Sequence, residues 1–231
     1  MSNYLIIGAS GGIGNRLATL LADSGNHVVG TYNTNPITSN GKIQYQHLNV
    51  LDEIIHLQGL PESIHGLVYC PGAINLRPFD RLKPDDFVND YNLQVVGAVK
   101  VIQAALTNLK QARLSSIILF STVAVQAGLN FHSQVSSTKG AVEGLTRALA
   151  AEFAPGIRVN CIAPSLTDTP LAAAFLNSDT KRAANAQRHP LKRIGTTEDI
   201  ARMAEYLLSE KAGWITGQVF HVDGGLSSLK I

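Results

Sequence analysis

A parallel, doubly wound α/β sheet of about seven strands flanked by helices is the fold this chain predicts. Three observations carry the prediction. Short β-branched runs alternate with longer stretches of helical spacing, a glycine-rich turn joins the first run to the first helix, and no linker or low-complexity tract divides the 231 residues. A single domain, 1–231, is expected.

The strands are read from their apolar, β-rich composition. They are "YLIIG" (Tyr4 to Gly8), "HVVGTY" (His27 to Tyr32), "KIQYQHLNV" (Lys42 to Val50) and "IHGLVYC" (Ile64 to Cys70). "SSIILFST" (Ser115 to Thr122), "IRVNCIA" (Ile157 to Ala163) and "GQVFHVD" (Gly217 to Asp223) complete the set. Helical spacing marks Gly14 to Ser24, Pro84 to Leu109, Ser133 to Phe153 and Thr197 to Leu208. Thr196 or Thr197, with Asp199 close behind, suits the last helix as an N-cap. "NTNPITSNG", between the second and third strands, is turn-rich and too short for a full crossover helix. Residues 170–193, Ala-rich and then basic, read as a mobile helical flap beside a substrate.

Composition narrows the function. The chain is 45% hydrophobic and 16% charged, which supports one large core, and its net charge is only +2. Without a Lys/Arg cluster, nucleic acid or an anionic membrane is not the expected partner. Cys70 and Cys161 are far apart and fit no metal spacing, and the seven histidines are scattered, so no metal is expected. Two buried thiols suit a reducing compartment, the first apolar run is too short for a signal peptide, and no run approaches a bilayer span. A cytoplasmic protein is expected.

The strongest chemical signal is "GASGGIG": Gly8, Ala9, Ser10, Gly11, Gly12, Ile13 and Gly14, at the end of the first strand and the start of the first helix. Glycines let backbone N–H groups approach a diphosphate, and the helix N-terminus adds partial positive charge there. The spacing is G-x-x-x-G-x-G rather than G-x-G-x-x-G, but its place at the first crossover of the predicted sheet points to a dinucleotide. No Asp or Glu lies between Asp23 and Asp52, so no carboxylate is placed to accept from an adenosine ribose. Tyr32, Asn33 and Thr34 occupy that strand end and would not repel a 2′-phosphate, for which Arg16 and Lys42 are further candidate partners. NADP is preferred on this reading and NAD remains open.

With "GASGGIG", "NLQVVGA", "ILFSTVA", "SSTKGAVEGLTRALAAEFAPGIRVNCIAPSLTDTPL" and "RIGTTEDIARMAEYLLSEKAGWITGQVFHVDGG" in this order, the chain resembles the short-chain dehydrogenase/reductase family nearly end to end. Within it the likeness is to 3-oxoacyl-[acyl-carrier-protein] reductases. The resemblance implies a Rossmann-like domain, a nicotinamide cofactor, a small carbonyl or alcohol substrate, and a homodimer or homotetramer formed through the helices that carry Val95, Val96, Val99, Val142, Leu145 and Leu149. It assigns Asn92 to the family's catalytic Asn, Thr122 to its Ser (with Ser121 as fallback) and Lys139 to its ribose-binding Lys. It also implies cofactor contacts from Asn49 and Val50 on the adenine, from Gly72, and from Pro164, Thr167 and Thr169 in "PSLTDT".

Two departures stand out. The tyrosine that should exchange the proton, four positions before Lys139, is Val135, and "YCPGA" replaces the usual Asn-Asn-Ala-Gly after the fourth strand. A positioned acid contributes about 10²–10⁴ in rate, or about 3–5 kcal/mol. His132, Tyr91 and Tyr69 are candidate substitutes, each with a plainer reading as a loop, outward-facing or packed residue. Two functions follow. One is an oxidoreductase with an atypical proton donor, acting on a modest, partly apolar molecule that has an anionic group near Lys181, Arg182 or Arg188. The other is a dinucleotide-binding sensor or partner protein that has lost hydride chemistry.

Overall fold

The computed structural model describes residues 1–39 and 41–230. In it β1 (Asn3–Ile7), β2 (His27–Tyr32), β3 (Ile43–His47), β4 (Gly66–Tyr69), β5 (Ser115–Phe120), β6 (Ile157–Pro164) and a last strand, Val219–Val222, form one seven-stranded sheet. The order is β3-β2-β1-β4-β5-β6 followed by that last strand, and every pairing is parallel. Strand order reverses between β1 and β4, so their carboxyl ends open a crevice, the usual ligand site of such sheets.

Alternation along the strands builds two apolar layers. Leu5, Ile7, Leu67, Ile117, Leu119 and Val159 face one side. There they meet Ala98, Val101 and Ala105 of a helix at Gly97–Gln111, and Val142 and Ala150 of a second at Ser133–Phe153. Tyr4, Ile6, Val28, Val68, Ile118 and Ile162 face the other side, against α1 (Gly12–Asp23) and a helix at Thr197–Leu208. Burial on both faces is why these strands read as continuous apolar runs.

In chain order the remaining elements are α2 (Pro84–Tyr91), α3 (Gly97–Gln111), α4 (Ala124–Ala127), α5 (Ser133–Phe153), β7 (Thr167–Asp168), α6 (Asp179–Gln187), β8 (Gly195–Thr196), α7 (Thr197–Leu208) and β9 (Val219–Val222). The expected helix from Pro84 to Leu109 carries a π segment, Asn92–Val96, between α2 and α3. The Tyr69 hydroxyl donates to the Leu93 carbonyl there at 2.5 Å. Gly97 makes room for it, since a Cβ at that position would lie 2.4 Å from the hydroxyl oxygen.

Among the described residues between β2 and β3 there is no helix, and the strands still pair in parallel. Asn40 of that turn-rich segment lies outside the described residues. The segment read as a flap forms a 3₁₀ turn at Pro170–Phe175 followed by α6. Its two roots are joined by a two-residue parallel pairing, Thr167 with Gly195 and Asp168 with Thr196.

Thr196 caps α7, with its hydroxyl accepting from the Asp199 N–H at 3.2 Å while the Asp199 carboxylate accepts from the Thr196 N–H at 2.8 Å. Thr196→Ala is expected to lower stability by about 1 kcal/mol in urea unfolding. An unchanged midpoint would show that the cap contributes nothing.

Candidate active site

The crevice at the strand ends is a cleft of about 720 Å³. Its floor is the glycine turn. Gly8 and Gly12 hold positive φ, +78° and +53°, which side chains rarely adopt. A Cβ on Gly14 would sit 2.3 Å from the Gly8 carbonyl oxygen, so only glycine lets α1 leave the strand this closely. No side chain caps α1 and no acidic residue lies in its first turn. Its leading N–H groups are thus left for an anion, as a diphosphate-binding turn requires. Thr169 lies over this turn, with its Cβ 3.6 Å from where a Gly12 Cβ would be.

Lys139 forms the opposite wall. One turn beyond Val135 on α5, it is half-buried, and its Nζ donates to the Phe120 carbonyl at 2.8 Å. Burial pulls the ammonium down to about 8, opposed by the nearby Cys161, Asp90 and Cys70. Val135 is buried beside it on the cleft surface. Thr122 also lines the cleft, its Oγ1 accepting from the Ala124 N–H at 3.4 Å. Ser121 is committed elsewhere, donating to Glu143 Oε1 at 2.7 Å.

The structure brings Gly8, Ser10, Gly11, Gly12, Ile13 and Gly14 together with Asn33 and Thr34 on the cleft wall. Gly72, Thr122, Val135, Lys139, Pro164, Thr167 and Thr169 join them there. It does not bring in Asn92, which opens the π segment and is exposed. Gln94, two residues on, is 1% exposed and faces the cleft instead. The wider π turn breaks the 3.6-residue period from which facing is read in sequence.

Gln94 Nε2 donates to Asp90 Oδ1 at 2.6 Å, and among the described residues Gln94 Oε1 and Asp90 Oδ2 have no hydrogen-bond partner. A Cβ on Gly72 would lie 3.3 Å from Gln94 Oε1 and 3.8 Å from Lys139 Nζ, so both groups face one gap above that glycine. Two buried polar residues four apart in a helical stretch were the available signal.

Tyr32, Asn49 and Val50 also stand off the cleft. The Tyr32 ring packs edge-on to His47 with centroids 5.8 Å apart. Asn49 Nδ2 donates to Asp52 Oδ1 at 2.7 Å, and Val50 is core. Asn35, beyond Thr34, is the neighbour that the strand-end reading missed. Arg16 is paired with Glu198, and Lys42 with Asp23 at 2.8 Å, so neither reaches the adenosine end.

Of the substitute acids, Tyr91 is exposed and outside the cleft, and the buried Tyr69 hydroxyl is held by Leu93, its pKa raised by desolvation. His132 does line the cleft at the start of α5, with Nδ1 2.6 Å from the Asn130 carbonyl. Cys70, beneath the glycine turn, is pushed up to about 12 by burial and is a packed thiol. Among the described residues no three His, Cys, Asp or Glu side chains gather around a possible metal position. No described helix is long and apolar enough to cross a membrane.

Fold and cleft together have the architecture of the doubly wound dinucleotide-binding class. The chain belongs to the short-chain dehydrogenase/reductase family of NAD(P)-dependent oxidoreductases, and residues 8–227 match the profile described as enoyl-(acyl carrier protein) reductase. It is 38% identical over 142 residues to the "Inactive 2-(S)-hydroxypropyl-CoM dehydrogenase 2" of Xanthobacter autotrophicus, covering 59% of this chain. The match spans less than two thirds of that relative's length, 62%. The 3-oxoacyl-[acyl-carrier-protein] reductase FabG of Rickettsia felis is 29% identical over 96% of this chain and 95% of its own. Among solved structures, ElxO with NADP bound superposes with a TM-score of 0.87 at 26% identity, covering 99% of each chain.

Two outcomes test the site. Gly14→Ala must push a methyl into a backbone carbonyl, so it is expected to weaken dinucleotide binding at least about tenfold in a fluorescence titration, with circular dichroism reporting the fold. Unaltered affinity would place the coenzyme elsewhere. Lys139 binds its proton less tightly folded than unfolded, so between about pH 8 and 10.5 the unfolded state holds more protons. Ligand-free wild-type stability relative to Lys139→Met is therefore expected to rise across that window. A flat difference in denaturant unfolding would contradict the depressed value.

Proposed function

We propose that the protein interconverts a small carbonyl compound and its alcohol with NAD(P)(H), and that Lys139 takes over proton delivery from the absent phenol. The observation that carries this reading is the Lys139 ammonium, half-buried on the cleft wall beside Val135 and pulled down to about 8, near the operating pH of a general acid. When bound, the nicotinamide would supply the hydride in reduction and accept it in oxidation. Thr122 polarises the carbonyl oxygen, since among the described residues its hydroxyl proton has no acceptor. Val135 presents only hydrocarbon to that oxygen. A water protonated by Lys139 therefore carries the proton, and bulk solvent recharges the lysine. The sum is carbonyl plus NAD(P)H plus H⁺ giving alcohol plus NAD(P)⁺. Gln94, with its free Oε1 above Gly72, holds the water side of the relay.

NADP(H) is the preferred coenzyme on this reading, because the adenosine end offers the neutral Ser10, Asn33, Thr34 and Asn35 and, among the described residues, no carboxylate that would repel a 2′-phosphate. With no cation there either among the described residues, the preference over NAD(H) is modest, about tenfold or less. A cytoplasmic homodimer or homotetramer accompanies the proposal. Both cysteines are free thiols, and Val99, Leu145 and Leu149 stay half-buried on α3 and α5, while Val95 and Val142 are spent in the chain's own core. Val135 also supports a second reading, a dinucleotide-binding partner without turnover, and the likeness to a relative named inactive favours it.

The deciding measurement is coenzyme oxidation over a panel of ketones and aldehydes as a function of pH. Reduction is expected to hold below about pH 8 and then fall about tenfold per unit as Lys139 loses its proton, with the opposite slope for alcohol oxidation. Val135→Tyr is expected to raise kcat by about 10²–10⁴. Coenzyme binding without turnover on any compound, in wild type and Val135→Tyr alike, would select the second reading.

A further inference from the structure

The outer end of the cleft carries a charge that the coenzyme reading does not use. Among the described residues lining the cleft none is Asp or Glu, whereas Lys139 and Arg188 both line it. The cations of residues 170–193 sort cleanly by what holds them. Arg182 grips Asp168 with two bonds, at 2.7 and 3.2 Å, and Arg193 grips Asp199 with two, at 2.6 and 2.7 Å. Lys181 donates to the Ala174 carbonyl at 3.5 Å and Lys192 to the Gln187 carbonyl at 3.2 Å. The Arg188 guanidinium has neither an ion-pair nor a hydrogen-bond partner among the described residues, and it is the one of these that borders the cleft.

Its base is fixed. Arg188 caps α6 with its N–H donating to the Asn185 carbonyl at 3.3 Å. The next residue, His189, is 3% exposed and held at both nitrogens, Nε2 2.8 Å from Ser165 Oγ and Nδ1 2.9 Å from the Asn185 carbonyl. A ring clamped between the loop after β6 and the end of α6 sets where the neighbouring arginine starts. An exposed guanidinium anchored at its root, unpaired at its tip and bordering a cleft whose described lining holds no carboxylate is suited to a planar anion, which it can grip with two parallel hydrogen bonds.

We infer that Arg188 binds a carboxylate of the substrate, which makes the reactive compound an oxo acid or the corresponding hydroxy acid, with its carbonyl at the Thr122 end and its carboxylate at the rim. This rests on the oxidoreductase reading for the carbonyl but not for the anion site.

The test is a ladder of 2-, 3-, 4- and 5-oxo carboxylates beside their methyl esters, assayed with wild type, Arg188→Gln and Arg188→Lys, alongside coenzyme titrations of each variant. Wild type is expected to favour at least one free acid over its ester by about 10–100-fold in kcat/KM, the size of one charged hydrogen-bonded contact. Arg188→Gln should collapse that preference through KM, Arg188→Lys should keep part of it, and coenzyme affinity should stay within about threefold of wild type. Equal use of acids and esters by wild type, a preference that survives Arg188→Gln, or a loss of coenzyme affinity in that variant would overturn the assignment. If no compound turns over, the same ladder is titrated calorimetrically into the protein–NADP complex. Acid-selective binding lost in Arg188→Gln then upholds the anion site while the oxidoreductase reading falls, and no selectivity overturns the site.

Discussion

The cleft is organised around one ammonium group held against one carbonyl. Lys139 reaches from α5 to the end of β5, and the 2.8 Å bond to Phe120 sets a positive charge at the strand ends where the glycine turn also opens. Burying a charge with a single neutral acceptor is costly, which is why the proton is held loosely and why the group has bonding capacity left over. The surroundings follow from that need. Gly72 leaves the space in front of the ammonium empty of side chain, Gln94 turns an unpaired oxygen towards it, and Asp90 lies behind Gln94 as a carboxylate that favours the charged form. A ribose hydroxyl or a water entering this gap finds both a donor and an acceptor waiting.

Around this charge the structure is stiff where chemistry needs it to be. Asn75 donates to Gln134, and Gln134 donates to the Asp86 carbonyl, so the buried Gln134 amide ties α5 to α2 beside the cleft. Ser121 and Glu143 make a second tie between the end of β5 and α5. The glycine turn, Thr122 and Lys139 share one cleft, and Val135 lines it where the resemblance expects a tyrosine.

The regular elements were legible because each was over-specified. His27–Tyr32, Ser133–Phe153 and Thr197–Leu208 match their expected bounds, since β-branched runs, an apolar stripe and the Thr196–Asp199 cap all pointed the same way. The glycine turn was legible for a similar reason, because few residue types can make it. The side chains around the cleft were less so. Asn92 is polar and sits in a familiar-looking string, yet the π segment sets it in solvent and hands the inner face to Gln94, and no local pattern encodes an extra-wide turn. Tyr32 and Asn49 stand off the cleft because their partners, His47 and Asp52, lie on other parts of the chain or across a turn. Arg188 could be singled out from its basic neighbours only once the ion pairs that occupy Arg182 and Arg193 were visible.

The clasp between Thr167–Asp168 and Gly195–Thr196 has an implication for how such a protein can change. Because the two roots of the intervening segment are hydrogen-bonded to each other, the rest of the molecule meets it as a closed hoop with a fixed mouth. Lengthening a hoop is thermodynamically mild, about 0.6 kcal/mol for each doubling of a flexible loop. New selectivity can therefore be grafted between those roots by insertion or exchange beyond Thr169, while the sheet beneath and its glycine turn keep their shape.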